Sequence, residues 1–183
     1  MNYSILKSGL FFVVAFSLTS FSRPVPMQNV RVTMQYILCK AADDYGGTEE
    51  LYGKVWALNL APYKSEKAAR EYFERDDQLK IGLGGGEIWN KNRNHLVVLS
   101  KGQSRQINRS IDISCPETGN IIILGDMNER DYKGDPDDKL ASNGSVENKV
   151  VALTSFTNTC LVDLVFQSGG TDVWVRVKLE KIN

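Results

Sequence analysis

The sequence predicts an all-β protein, an eight-stranded antiparallel β-sandwich with a short helical insertion. Three observations predict it. Val30, Val32, Met34, Tyr36 and Leu38 alternate with Arg31, Thr33 and Gln35, the period-two pattern of a strand with one buried face. Comparable runs recur along the chain with polar or Gly-rich connections, which suits a sandwich better than an alternating strand and helix fold. Only Ser65 to Glu74 has helix-forming composition.

Taken in order, residues 1–22 read as a cleaved secretory signal: Lys7 supplies a short positive region, Leu10 to Leu18 an apolar core, and Thr19 to Ser22 a run of mostly small residues. The apolar run is shorter than the roughly 20 residues a membrane span needs. Residues 23–183 are then expected to form a single domain, secreted or periplasmic. After the first strand, strand signals fall at Glu50 to Leu60, Glu87 to Lys91, His95 to Ser100, Arg105 to Cys115 and Asn120 to Met127. Between the second and third, Ser65 is placed to cap a helix whose Tyr72 and Phe73 can dock on a sheet. The last two strands, Thr159 to Gln167 and Asp172 to Ile182, read as a hairpin: Cys160, Val162, Leu164 and Phe166 alternate, Gly169-Gly170 turns, and Val173, Val175, Val177 and Leu179 return.

Lys and Arg total 22 against 22 Asp and Glu, and losing Lys7 with the signal leaves a net charge of about −1, so no global field favours nucleic acid. Cys39, Cys115 and Cys160 allow at most one disulfide and have no spacing of a zinc site; they read as buried small apolar residues.

The stretch "NIIILGDMNERDYKGDPDDKLA", residues 120–141, carries the chemistry. Its "LGDMN" resembles the strand end of the metal-dependent endonuclease, exonuclease and phosphatase family, which would set Asp126 and Asn128 against a metal-bound phosphate. That chemistry needs histidines to orient water and stabilise charge, and the chain has only His95. With a single His there is no Ser-His-Asp or Cys-His arrangement to find beyond it, and the chain is not expected to be an enzyme. The carboxylates that follow, Glu129, Asp131, Asp135, Asp137 and Asp138, crowd one loop, which suits calcium with its six to eight oxygens. An EF-hand is excluded: counted from Asp126, the sixth position is Asp131 where Gly is required, and no Glu holds the twelfth.

A second acidic loop, "AADDYGGTEELYGKVWAL", follows the first strand. Here the chain resembles the synaptotagmin-like and protein-kinase-C-like calcium and phospholipid-binding domains, the C2 family. Asp44, Gly46-Gly47-Thr48, Glu50 and Tyr52 match the order of that family's first acidic loop, and Glu129, Asp131 and Asp137 that of its other one. Glu50 and Glu129 stand where the family usually has Asp, and Ala141 where Gly is usual. The resemblance implies calcium held by Asp44, Glu50, Glu129, Asp131 and Asp137, with Asp43 and Asp138 as additional ligands and Tyr45 and Tyr132 as membrane contacts. It also implies docking to an anionic membrane surface. The family's basic strand patch would fall on Lys101, Arg105 and Arg109, although Ile107, Ile111 and Ile113 share their face, so these arginines can equally lie over the core edge. Two other classes stay open: a carbohydrate-binding sandwich using Trp56, Trp89 or Trp174 as a glycan platform, and a structural or interaction domain with neither ligand.

Overall fold

The alternation of the first strand organises the whole molecule. A computed structural model describes residues 24–42, 47–75, 84–130, 137–140 and 146–183. In it, β1 (Met27–Ala41) pairs antiparallel with β5 (Ser104–Pro116) on one side and with β10 (Thr171–Ile182) on the other, and β9 (Thr159–Ser168) adds beyond β10. This four-stranded sheet faces a six-stranded one. Its centre is the pair β2 (Thr48–Asn59) and β6 (Asn120–Glu129); β3 (Gly85–Lys91) and β4 (Val97–Ser100) both pair with β2, and β7 (Asp138–Lys139) and β8 (Glu147–Ala152) both pair with β6.

Period-two patterning produces the core between the sheets. Val30, Val32, Val175, Val177 and Leu164 from one sheet, and Val55, Ile121, Ile123, Met127 and Trp89 from the other, are buried in one cluster. The hairpin forms in the expected register, with Phe166 opposite Val173, Leu164 opposite Val175 and Val162 opposite Val177. Gly169 turns with φ 58, a left-handed conformation that glycine adopts at little cost.

The run Ile121-Ile122-Ile123-Leu124 is apolar on both faces because both are covered. Its outward members, Ile122 and Leu124, join Trp56 and Leu58 under helix α1 (Glu66–Glu74), which buries Ala69 and Phe73 against them. Ser65 caps this helix by accepting from the Ala68 amide at 3.1 Å. No helix among the described residues is long and apolar enough to cross a membrane.

Three details depart from the sequence expectation. Among the described residues the strands number ten, because two lack a strong pattern of their own: β7 is two residues long, and β8 (ENKVVA) keeps only Val151 buried and exposes Lys149 and Val150. Second, β1 is bulged between Met34 and Tyr36 opposite Asn108, whose φ is 51. The bulge reverses the phase, so Ile37 and Cys39 enter the core while Tyr36 and Leu38 are only partly buried. Third, His95 lies exposed in the turn before β4, bonded to Asn92. The three cysteines are free thiols, with Cys39 and Cys115 buried.

Candidate functional site

Antiparallel pairing decides where the two acidic connections go. Leu51 near the start of β2 lies opposite Glu129 at the end of β6. The start of β2 and the end of β6 therefore lie at the same end of the sandwich, and segments 43–46 and 131–136 stand next to them in the sequence. Arg130 ties the two strands there: its amide donates to the Glu50 carbonyl at 2.9 Å, and its guanidinium meets the Glu50 carboxylate at 2.8 Å. The turn after β4 joins the same end, since the Lys101 amide donates to the Gly47 carbonyl.

Alternation along β2 then sorts the carboxylates by face. Glu49 and Leu51 point into the sandwich, whereas Glu50 and Tyr52 point out. Glu129, opposite inward-facing Leu51, is itself inward and 2% exposed. Glu50 and Glu129 thus fall on opposite faces of the sheet. Asp137 sits on the outer face with both oxygens engaged: the Tyr52 hydroxyl donates to Oδ2 at 2.6 Å and Arg93 Nη2 donates to Oδ1 at 2.7 Å. Burial, reinforced by the Asp137 carboxylate, pushes the Tyr52 phenol up to about 12. Asp138 pairs with Glu129 through β7 and is exposed. Asp43, Asp44, Tyr45, Asp131 and Tyr132 lie outside the described residues, as does Ala141.

Among the described residues no group of three or more His, Cys, Asp or Glu side chains is arranged to hold a metal ion. Glu50, Glu129 and Asp137 do not form a cage together, because a protein cation or the sandwich interior already claims each of them.

Beneath the loop end lies a polar floor that the sequence reading missed. Glu49 is fully buried, and the Thr171 hydroxyl, at the start of β10, lies 2.9 Å from Glu49 Oε1 and 3.4 Å from Glu129 Oε2. Cys39 lies close enough to respond to them: burial first, then the charges of Glu49, Glu129 and Asp172, pushes its thiol up to about 11. The available signal was Glu49 standing in phase with Leu51 and Val55 in a strand, an acidic residue at an inward position.

Asp126 is a strand residue of β6, with its carboxylate 3.8 Å from Lys139 Nζ. The glycan platform is corrected at its best candidate: Trp89 is 1% exposed in the main core and Trp56 is 4% exposed under α1, so both rings are spent on packing. Trp174 is partly buried beneath Lys40. Arg105 and Arg109 stand opposite the inward residues Ile37 and Met34 at the sheet edge and remain exposed, while Ile107 and Ile111 pack on the core.

The fold is a two-sheet antiparallel β-sandwich in which β2 begins and β6 ends at the same end. No protein-family model and no curated protein sequence matches the chain. Among solved structures it is similar to the A-type C2 domain of plant extended synaptotagmin 1, with 11% identity over 88% of this chain and 99% of that one and a TM-score of 0.43. It is also similar to human GIVD cytosolic phospholipase A2, 8% identical over 86% of this chain but 18% of that one, TM-score 0.42. CC2D1B is 8% identical over 84% of this chain and 54% of that one, TM-score 0.41. The last two matches thus span only part of longer chains. These are likenesses of shape and assign no ligand.

Proposed function

We propose that the chain is a secreted, non-catalytic binding module that docks through its loop end, with calcium, on anionic lipid or another anionic surface. One observation carries the reading: β2 begins and β6 ends at the same end of the sandwich, and the sequence next to both strand ends is acid-rich. In this reading Asp43, Asp44, Asp131, Asp135 and Asp138, which stand beside those strand ends in the sequence, repel an anionic surface unless a cation intervenes. Calcium supplies that charge together with oxygen coordination for a phosphate. Since Glu50, Glu129 and Asp137 are otherwise engaged, ligation in this reading falls to Asp44 and Asp131, one from each connection.

The test is sedimentation with phosphatidylserine vesicles in millimolar calcium and in chelator. Binding in calcium alone, lost in Asp44→Asn and in Asp131→Asn, is the expected result. Binding that persists in chelator would move the contact to Arg105 and Arg109, and no binding in either condition would remove the reading.

A further inference from the structure

We propose that Arg93 and Arg130 are built-in counter-ions which take Asp137 and Glu50 out of any ion site and fix the roots of the two acidic connections without calcium. Asp137 is the stronger case. Its side chain is 13% exposed, and each oxygen already accepts a short hydrogen bond, from Arg93 at 2.7 Å and from Tyr52 at 2.6 Å. Arg93 comes from the turn between β3 and β4, Tyr52 from β2, and Asp137 from the residue just ahead of β7. The clasp therefore joins three separate elements of the six-stranded sheet.

Arg130 acts beside the other connection. Its backbone and side chain both bind Glu50, so the residue that ends β6's path is anchored to β2 twice. For either carboxylate to join an ion, a guanidinium of fixed positive charge would have to be displaced. The Glu50 carboxylate is 36% exposed against 13% for Asp137, which makes its pair the weaker case. A sheet end held by tethered cations keeps its shape in the absence of an ion, and leaves ligand capacity to residues inside the connections.

The counter-ion role is tested without any ligand by a double-mutant cycle in the whole protein, with Arg93→Gln, Asp137→Asn and both together, followed by urea unfolding. Each single change is expected to raise the unfolding equilibrium constant about tenfold, as loss of a hydrogen bond to a charged group does, with the double variant no worse than Asp137→Asn alone. Additive losses would overturn the proposal. Its second arm rests on the calcium reading above: in a calcium titration, Asp137→Asn should leave the dissociation constant within about twofold of wild type, because removing a residue that makes no contact with the ion costs little. A weakening of about tenfold or more, the size of a lost ligand's share, would make Asp137 a ligand and overturn the proposal. Absence of calcium binding in the wild type would sink the docking reading instead, and the cycle would still decide the counter-ions.

Discussion

Replacing Thr171 with valine isolates the polar floor beneath the loop end. Thr171 is 3% exposed, and its hydroxyl has one proton to place between Glu49 Oε1 at 2.9 Å and Glu129 Oε2 at 3.4 Å. The proton goes to the shorter contact, so the change deletes one buried hydrogen bond. Valine keeps the branched shape and favours a strand equally well, so no cavity opens and no strand propensity is lost. Losing a buried side-chain hydrogen bond costs about 1–3 kcal/mol. The net expectation is about 2 kcal/mol, or about thirtyfold in the unfolding equilibrium constant. Thr171→Ser keeps the hydroxyl and loses one buried methyl, at a cost of about 1 kcal/mol. Urea unfolding followed by tryptophan fluorescence reads both variants. A valine variant within about 0.5 kcal/mol of wild type, the scatter of ordinary surface changes, would refute the reasoning, as would a serine variant that falls as far as valine.

Three further outcomes are expected. Gly53→Ala drives a Cβ into the Asp126 carbonyl oxygen at φ 147, so β2 and β6 must separate; a loss of about 3 kcal/mol or more is expected in the same assay. Phe73→Ala removes a fully buried ring packed edge-on to Trp56 at 4.9 Å, and should cost about 3–5 kcal/mol and change the Trp56 fluorescence. In alkali, the Cys39 thiol and Tyr52 phenol are both raised, from 9.0 to about 11 and from 10.0 to about 12. The unfolded chain loses these protons first, so the stability they contribute is complete below pH 9 and is lost as pH rises through 11 and 12. For buried Cys39 this amounts to about 2–3 kcal/mol at about 1.4 kcal/mol per pH unit. Cys39→Ala should flatten the pH 9–11 part of the decline, and an unchanged slope would contradict the assignment.

How much was legible in the sequence follows from what is local. Alternation in Val30 to Met34, the Gly169-Gly170 hairpin and the Ser65-capped helix each depend on neighbours within a few residues, and each formed as read. The bulge at Gln35 was invisible because it is a matter of register against β10 and β5, not of β1's own pattern. Strand β7 draws its two residues of pairing from Asn128 and Glu129 and has no pattern of its own. The site suffered most. Spacing grouped Glu50, Glu129 and Asp137, but Glu50 lies within β2 and Glu129 ends β6, so which face each takes is set by register between those strands, and a one-residue difference in phase moves a carboxylate from solvent to the interior. Their partners Arg93, Arg130 and Thr171 come from positions that only the folded sheets bring near.

The most direct test of the central claim is a calorimetric titration of the protein with calcium, repeated with Asp131→Asn. The account predicts a saturable heat with a dissociation constant on the order of 10⁻⁴–10⁻³ M, the range of extracellular calcium modules, weakened about tenfold by the substitution. Absence of any heat at millimolar calcium, or a wild-type isotherm that Asp131→Asn leaves unchanged, would contradict it.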